Sequence, residues 1–425
     1  MTRVLVFPGG TEIGLELRQA LMFVRDIELH SVADDSSNHA PYTYLRHEVV
    51  PSITEAGWLD AIREYVQKHR IDYVFGAHED VLLELARHED ELGATLVAPT
   101  LDVLETARSK SRTYGVLQGV VRVPRVYDPA TVDASLLPLF VKPDRGAGSR
   151  GASVIRSMQE LQSSLSVDED MLVSEYLPGD ELTVDCLSDR DAGVLYCQPR
   201  IRVRMRDGIS MDSFPVDEPE ALEISRAIQE RIPLRGAWFF QLKKSASDEW
   251  VLLEVGARIG GTMAVSRCSG VNLPLLSMYE AERRPIKILK NPQAIRIDRA
   301  LVNRFSSDLL YSAVYVDLDD TLLIGGRVNT TLIRFLYQAL NAGHRLVLVT
   351  RHAGDLAQTL AQHRLTELFD QVHHLGPDER KSHCIAERDA ILIDDSFGER
   401  LEVFDALGIA TFDCSMLEVL IDERV

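Results

Sequence analysis

The chain has few cysteines and no long apolar run, and each absence excludes a class of protein. Its five cysteines are scattered without C-x-x-C spacing. They predict reduced thiols in a cytoplasmic protein, not a disulfide framework or a zinc site. No apolar run approaches the roughly 18–20 residues of a membrane span. The first residues enter a strand without the apolar core of a signal peptide, so we expect no membrane association.

Basic residues are also scarce relative to acidic ones. The chain has 46 Lys and Arg against 65 Asp and Glu, a formal net charge of −19. This surplus disfavours bulk binding to nucleic acids or anionic membranes, because both are negatively charged, although a local basic patch stays open. The 425 residues are 45% hydrophobic. Such a chain is long enough for roughly two to four globular units.

The first hundred residues alternate short apolar strands with amphipathic helices. Residues 3–7 form a strand, and Gly9, Gly10 and Gly14 follow in the next turn and helix. This predicts a βαβ opening, but the glycines depart from G-x-G-x-x-G spacing, which disfavours nicotinamide binding. A later strand ends in the polar residues 78–80. These residues either contact a substrate or form the N-terminal cap of the next helix, where acidic side chains interact favourably with the helix dipole. We favour the helix cap.

A glycine-rich loop between two apolar runs lies at residues 139–155. The first run ends in Lys142, and Gly146, Gly148, Ser149 and Gly151 follow. Glycines let backbone N–H groups approach an anion, and the lysine adds positive charge, so the pattern predicts a polyphosphate site. It is not a P-loop, because the lysine precedes the glycines and a strand follows. From this stretch alone, the alternative is a plain β-hairpin with a solvated lysine.

This order resembles the lid of the ATP-grasp superfamily, which includes biotin carboxylase and carbamoyl phosphate synthetase. The chain also has a lysine on the preceding helix and a later Glu-x-x-x-Gly-x-Glu-like hinge. The resemblance implies that Lys110, Lys142 and the glycine loop bind the nucleotide phosphates. It also implies that Glu175 and Leu177 contact adenine and that Glu181 contacts the ribose or phosphates. For Lys110, a solvated helix lysine is the alternative.

Two predicted antiparallel strands carry the family's metal pattern. Gln241 on the first strand and Glu254 on the second can face the same side, and Arg258 follows. The resemblance implies that Gln241 and Glu254 bind Mg²⁺, with Mn²⁺ as an alternative, through their oxygens. It gives Arg258 a catalytic role at the transferring phosphoryl group. Gly256 stands where the family has asparagine, which predicts either a water in its place or weaker binding of a second metal.

A later strand carries four arginines at every second position, Arg200, Arg202, Arg204 and Arg206. On a regular strand they would share one face, and like charges on one face require solvent or anions. The strand is therefore either an exposed face or a wall that receives phosphate or carboxylate. For substrate binding we favour the two nearest the following turn, Arg204 and Arg206.

A second group of carboxylates begins where an apolar strand ends. Asp317 and Asp319 lie two residues apart, followed in order by Thr350, Lys381 and the paired acids 394–395, with Thr350 and the acids also at strand ends. Two close carboxylates suit one nucleophile and one acid, because one pKa tends to rise. The D-x-D-x-T motif and this order resemble the haloacid dehalogenase superfamily.

The resemblance implies phosphatase chemistry. Asp317 would attack phosphorus and form an aspartyl-phosphate, and Asp319 would protonate the leaving group and then activate water. Thr350 and Lys381 would hold the phosphoryl oxygens. The gaps between these motifs are too short for a cap domain, so we predict a site that admits large substrates unless the ATP-grasp part or a second subunit covers it. The implied magnesium ligands are Asp317, Asp394 and Asp395.

We therefore predict a multidomain chain of α/β and α+β class. A Rossmann-like unit (1–108) precedes an ATP-grasp domain (109–305, lid about 117–180) and a Rossmann-like haloacid dehalogenase domain without a cap (311–425). The resemblances imply an ATP- and Mg²⁺-dependent, ADP-forming ligase that joins a carboxylate to an amine, fused to a phosphatase for a phosphorylated substrate. The alternatives are a regulatory nucleotide-binding module that controls the phosphatase, and a phosphatase for a macromolecular substrate. The sequence does not give the oligomeric state, and a homodimer is one alternative.

Overall fold

The computed structural model describes residues 1–34, 38–146, 148, 150–166, 170–191, 193–206 and 208–425. The chain divides into two compact units, Met1–Leu301 and Val302–Val425. Among the described residues, no helix is long and apolar enough to cross a membrane.

The first unit begins with a five-stranded parallel sheet of order β3-β2-β1-β4-β5. Leu5 of the central strand packs into one hydrophobic core, and its neighbours Val4 and Val6 pack into another. This follows from the alternation of side chains in a strand that is covered on both faces. The strands are β1 (Thr2–Phe7), β2 (Ile27–Ala33), β3 (His47–Val49), β4 (Tyr73–Gly76) and β5 (Thr95–Leu96). The helices are α1 (Glu12–Leu21), α2 (Ala40–Thr43), α3 (Trp58–His69), α4 (Glu79–Arg87), α5 (Glu89–Leu92) and α6 (Leu101–Arg108).

The glycines of the first turn serve packing between the turn, helix and sheet. Thr11 caps α1, its hydroxyl accepting a hydrogen bond from the Gly14 amide at 3.0 Å. A Cβ on Gly14 would lie 2.5 Å from the Gly9 carbonyl oxygen, and one on Gly9 would lie 1.8 Å from the Ser31 hydroxyl. These positions therefore need glycine for close backbone approach.

The next part of the first unit is a small antiparallel sheet of order β6-β9-β7-β8, here called the lid. It has its own core, which includes Leu139, Val141 and Val173. The strands are β6 (Val126–Tyr127), β7 (Leu139–Pro143), β8 (Ser153–Ile155) and β9 (Met171–Glu175). Helix α7 (Lys110–Leu117) precedes the lid, α8 (Met158–Leu165) lies within it, and a 3₁₀ helix covers Ala134–Leu136.

A six-stranded sheet of order β14-β13-β10-β11-β12-β15 completes the first unit. Leu182, Trp238 and Phe240 on one of its faces are buried in the main core. The strands are β10 (Glu181–Asp189), β11 (Gly193–Arg206), β12 (Ile209–Pro215), β13 (Gly236–Lys244), β14 (Trp250–Gly256) and β15 (Ile297–Asp298). The helices are α9 (Glu220–Arg231), α10 (Ala264–Cys268) and α11 (Leu273–Ala281), with a 3₁₀ helix at Gly261–Met263.

The second unit has a five-stranded parallel sheet of order β20-β19-β16-β21-β22. Val314 and Val316 of the central strand face one core, and Tyr315 faces the other. The strands are β16 (Ala313–Val316), β17 (Leu323–Ile324), β18 (Arg327–Val328), β19 (Arg345–Thr350), β20 (Gln371–His374), β21 (Ala390–Ile393) and β22 (Ala410–Phe412). The helices are α12 (Thr330–Asn341), α13 (Leu356–Gln362) and α14 (Phe397–Leu407), with 3₁₀ helices at Lys381–Cys384 and Cys414–Val419.

Between the central strand and β20, this second unit contains only short elements. Strands β17 and β18 form a hairpin, and α12 and α13 flank β19. Within residues 302–425, all of which are described, no separate cap domain is inserted there.

Candidate functional sites

One face of the six-stranded sheet carries the polar residues predicted to bind metal. Gln241 of β13 pairs with Glu254 of β14 and with Thr183 of β10 in the strand registers. Directly opposed residues project from the same face of an antiparallel sheet. The two predicted metal ligands therefore do share a side, as the sequence indicated.

Lys142 is buried at the end of β7, with a side chain only 6% exposed. Its Nζ donates hydrogen bonds to the Tyr114 hydroxyl at 2.7 Å and to the Leu253 carbonyl at 3.4 Å. Burial, together with the nearby charge of Lys110, lowers the pKa of Lys142 to about 8. The alternative of a solvated hairpin lysine is therefore wrong.

Lys110 begins α7 and is also buried, so it is not a solvated helix lysine. Its Nζ donates to the carbonyl oxygen of Asp144, at 3.3 Å. The carboxylate of Asp144 accepts hydrogen bonds from the Ser109 hydroxyl and the Ser111 amide, both at 2.7 Å. Burial alone would raise the pKa of Asp144, but these hydrogen bonds lower it overall. These hydrogen bonds hold the start of α7 against the end of β7, and they bring Lys110 and Lys142 close together.

The glycine loop follows directly. Gly148 and Gly151 have φ angles of 65° and 71°, which are the left-handed values that favour glycine. The backbone of Gly148 packs against Gly208 in the turn between β11 and β12, where a Cβ would lie 2.3 Å from the Gly148 carbonyl carbon. Gly146 accepts a hydrogen bond from Arg108. Ser149, also predicted to bind phosphate, lies outside the described residues.

The predicted hinge joins the lid to the six-stranded sheet. Glu175 ends β9, and its carboxylate accepts a hydrogen bond from the Arg125 amide at 3.0 Å. Leu177 is buried in the connecting segment. Glu181 begins β10 and forms ion pairs with Arg202 and, at 3.2 Å, with Lys243.

The expectation that the four arginines share one face is wrong. β-bulges shift the register of β11 against β12 after Arg202 and again after Arg204, which breaks the period of two. Arg200 is buried, and its Nε lies 3.1 Å from both carboxylate oxygens of Asp185. Arg204 instead pairs with Asp298 at 2.9 Å, with both side chains more than half exposed.

Arg202 contacts the predicted metal ligand Gln241, which the sequence did not indicate. Its guanidinium pairs with Glu181, donates to the Gln241 side-chain oxygen at 3.1 Å and donates to the Gly208 carbonyl. Its Nε is buried and has no hydrogen-bond partner among the described residues. Gln241 and Glu254 supply the amide and carboxylate oxygens that suit Mg²⁺, so this face fits the metal, with one cation already beside it.

Gly256 lies where the resemblance leads us to expect asparagine, and its environment requires a glycine. Phe239 lies opposite it in the register of β13 and β14, and a Cβ at position 256 would stand 2.3 Å from two carbons of that ring. The Arg258 guanidinium lies 5.1 Å from the same ring centroid and 3.0 Å from Glu79. Sequence reasoning missed Phe239, because a buried aromatic in a strand ordinarily indicates only core.

The polar end of β4 forms a helix cap, as we favoured. His78 is the N-cap of α4 and accepts a hydrogen bond from the Asp80 amide at 3.3 Å. Glu79 and Asp80 then pair with Arg108, at 3.5 Å and 2.8 Å.

In the second unit, two strand ends and the start of a 3₁₀ helix bring acids and one lysine together. The Lys381 Nζ is buried between Asp317 and Asp394, 2.6 Å from an oxygen of each. Burial raises the pKa of Asp317 to about 6, with Lys381 opposing the shift. Ligand oxygens of Asp317, Asp394 and Asp395 lie within 4.8 Å of one another. The arrangement can hold a divalent cation, because carboxylates are oxygen donors that Mg²⁺ accepts.

Asp319 and Thr350 both form hydrogen bonds with His352. Both carboxylate oxygens of Asp319 lie within 3.0 Å of the His352 Nδ1, and the Thr350 hydroxyl accepts from the His352 amide at 3.2 Å. The other ring nitrogen of His352 bonds to Thr359 at 2.9 Å. His352 was missed from the sequence, where its position two residues after Thr350 was the available signal.

Comparisons with known proteins relate this chain to an ATP-grasp family and to two named enzymes. Residues 167–300 match the family described as "ATP-grasp in the biosynthetic pathway with Ter operon". Formate-dependent phosphoribosylglycinamide formyltransferase of Corynebacterium glutamicum (strain R) is 27% identical over 346 residues, 74% of this chain and 79% of that enzyme. D-alanine--D-alanine ligase of Pelobacter propionicus is 26% identical over 163 residues, 34% of this chain and 52% of that ligase.

A solved structure gives the same relationship for the fold. The biotin carboxylase domain of Hydrogenobacter thermophilus 2-oxoglutarate carboxylase, in complex with MgADP, ADP and bicarbonate, superimposes with a TM-score of 0.58. The two are 17% identical, and the likeness covers 68% of this chain and 71% of that one. The first unit, Met1–Leu301, therefore has the ATP-grasp fold.

Proposed function

We propose that the first unit is an ADP-forming ligase that uses ATP to join a carboxylate to an amine. The observation that carries this proposal is the convergence of the buried Lys110 and Lys142 on the end of β7, where the glycine loop begins. Two desolvated cations beside a glycine-rich loop favour a polyphosphate. The names of two relatives support the class of reaction, since one is a D-alanine ligase and the other uses formate.

In this proposal the nucleotide lies between the lid and the six-stranded sheet. Glu175 and Leu177 would hold the adenine at the hinge, and Glu181 the ribose or phosphates. Lys110 and Lys142, with Gly146, Gly148, Ser149 and Gly151 of the glycine loop, would orient the phosphates. Positioning and fixed charge account for most of the catalysis of phosphoryl transfer.

The metal requirement follows from the donor set. Gln241 and Glu254 would hold Mg²⁺, which neutralises charge on phosphate oxygens when it is bound. Arg258 would stabilise charge on the phosphoryl group as it passes from ATP to the carboxylate, giving an acyl-phosphate that the amine then attacks. Arg204 and Arg206, at the exposed end of β11, would bind an anionic part of the substrate. The exposed pairing of Arg204 with Asp298 is weak enough to exchange for it.

We also propose that the second unit is a phosphatase. Asp317 would attack phosphorus while the bond to the leaving oxygen breaks and Asp319 protonates that oxygen. Water would then attack the aspartyl-phosphate, giving its proton to Asp319 and releasing inorganic phosphate. Lys381 and Thr350 would hold the phosphoryl oxygens. Asp317, Asp394 and Asp395 would bind Mg²⁺, which would supply further positive charge. Because residues 302–425 contain no cap domain, we propose that this unit accepts large substrates.

The test of the ligase uses the full chain with Asp317→Asn, so that phosphatase activity does not obscure phosphate release. We expect ADP formation that depends on both a carboxylate and an amine from a panel of amino acids and small carboxylates. Lys142→Ala should abolish it, and Lys68→Ala, at a surface lysine of α3, should not. AMP as the product would contradict the acyl-phosphate route.

The test of the phosphatase uses hydrolysis of p-nitrophenyl phosphate by the full chain. We expect a Mg²⁺-dependent rate that Asp317→Asn removes and Lys142→Ala leaves unchanged. A rate that survives Asp317→Asn would contradict the proposed nucleophile.

One observation favours a second candidate for the first unit. Phe239 fills the place of a usual metal ligand at position 256, so the unit could bind nucleotide as a regulatory module without turning it over. In that case nucleotide would bind, no carboxylate would elicit ADP formation, and nucleotide would change the phosphatase rate.

A further inference from the structure

We propose that the nucleotide site of the first unit works with one metal ion, and that the Arg202 guanidinium replaces the positive charge of a second. The inference rests on the proposed nucleotide site and specifies how its charge is balanced. It is carried by two separate observations, the packing at Gly256 and the position of Arg202.

The first observation is steric. The Phe239 ring lies so close to the backbone of Gly256 that a Cβ would stand 2.3 Å from two ring carbons. Cβ atoms do not approach neighbours so closely, and Phe239 is itself buried. An oxygen-bearing side chain at position 256 would therefore require the ring to leave a packed core, which opposes such movement. At this face the Glu181 carboxylate is already paired with Arg202 and Lys243, so Gln241 and Glu254 are the two opposed side-chain oxygens for a metal.

The second observation is the place of Arg202. Its guanidinium bonds to the Gln241 side-chain oxygen at 3.1 Å, pairs with Glu181, and bonds to the Gly208 carbonyl. Gly208 packs directly on Gly148 of the glycine loop. The guanidinium thus lies between a predicted metal ligand and the turn that supports the loop, where phosphates held by both would meet it.

Arginine suits this role. Its guanidinium stays charged, and its planar donors match two phosphate oxygens at once. Three acceptors hold the Arg202 guanidinium in place before nucleotide binds, so little side-chain conformational entropy is lost on binding. Its Nε is buried without a described partner, so the positive charge of this guanidinium is incompletely balanced by the groups around it. We infer that Arg202 contacts the phosphates beside a single metal ion.

The test counts nucleotide-dependent metal ions by Mn²⁺ electron paramagnetic resonance on the full chain, with the ATP analogue AMP-PNP. Subtracting the Mn²⁺ bound without nucleotide removes the contribution of the carboxylate cluster in the second unit. We expect one additional Mn²⁺ per nucleotide and no spin-coupled pair. Two additional ions, or a coupled pair, would overturn the inference while leaving the proposed nucleotide site intact. Failure of AMP-PNP to bind at all would overturn both.

Two sets of variants separate charge replacement from a structural role. Arg202→Met should weaken AMP-PNP binding at least tenfold, and Arg63→Met, a surface control on α3, should leave it unchanged. Adding Phe239→Ala and Gly256→Asn to Arg202→Met should recover affinity and bring a second Mn²⁺. Unchanged affinity in Arg202→Met would overturn the role of Arg202, even where the triple variant does not fold.

Discussion

Phe239 and Gly256 face each other across β13 and β14, and the ring of the first occupies the space that a side chain on the second would need. A Cβ at position 256 would lie 2.3 Å from two carbons of the ring. The Phe239 ring therefore requires a glycine at position 256, so the residues at these two positions depend on each other.

Gly256→Ala should destabilise the first unit by about 1–3 kcal/mol, because even one methyl group overpacks this site. Urea denaturation followed by tryptophan fluorescence measures the change. Gly115→Ala is the matched control, since Gly115 lies in α7 and a Cβ there would meet no atom of the described residues within 4 Å. That variant should be neutral or gain up to about 1 kcal/mol from helix propensity. Equal stability of Gly256→Ala and the parent chain would contradict the observed packing.

Arg200→Met should destabilise the first unit far more than Arg204→Met. Removal of Arg200 leaves the fully buried Asp185 with an uncompensated charge, a loss on the order of 3–5 kcal/mol. Arg204 pairs with Asp298 in solvent, where such pairs contribute about 0–1 kcal/mol. Thermal unfolding of the two variants checks this order. Similar losses would mean that the two arginines have equivalent environments.

Nucleotide affinity should decrease as the pH rises above about 8, the pKa to which burial and Lys110 lower Lys142. The protonated lysine binds phosphate, so the affinity stays constant below this pKa and falls by up to about tenfold per pH unit above it. Isothermal titration with AMP-PNP between pH 7 and 9.5 measures the profile. Lys142→Met should bind weakly at every pH and lack this dependence. Lys68→Met should keep the parent profile, and a flat profile in the parent chain would contradict the prediction.

The lowered pKa of Lys142 also makes the stability of the first unit depend on pH. The unfolded-state pKa of lysine is about 10.4, so the folded state binds fewer protons between that value and about 8. The stability contribution of this residue therefore rises with pH through that window. The destabilising burial of its charge is fully present below the folded-state pKa.

Lys381→Met should destabilise the second unit by about 3–5 kcal/mol, because Asp317 and Asp394 then face each other without their shared cation. Burial already raises the pKa of Asp317 to about 6, and loss of the lysine should raise it further. Ionisation opposes folding above that pKa, so lowering the pH from 8 to 5.5 should recover stability in the variant. Amide hydrogen exchange in residues 313–323 measures it. A variant that is as protected as the parent at pH 8 would contradict the prediction.

Much of the architecture was predictable because it follows from local chemistry. The apolar runs of β16, β19 and β21 end in polar residues, and parallel strands bring such ends to one edge. Asp317, Lys381 and Asp394 therefore lie together as their order along the chain indicated. The cap at His78 likewise depends on residues within one turn.

What the sequence determined by itself was the apolar strands that carry the candidate sites, the glycine loop and the order of the chemical groups, because these depend on side-chain period and backbone freedom. Only the tertiary structure decided which arginine meets which acid, because bulges in β11 break the period that the sequence maintains. It alone buried Lys142 against Tyr114 and placed Phe239 over Gly256. Such contacts depend on strand register and close packing between distant segments, which a linear pattern does not encode.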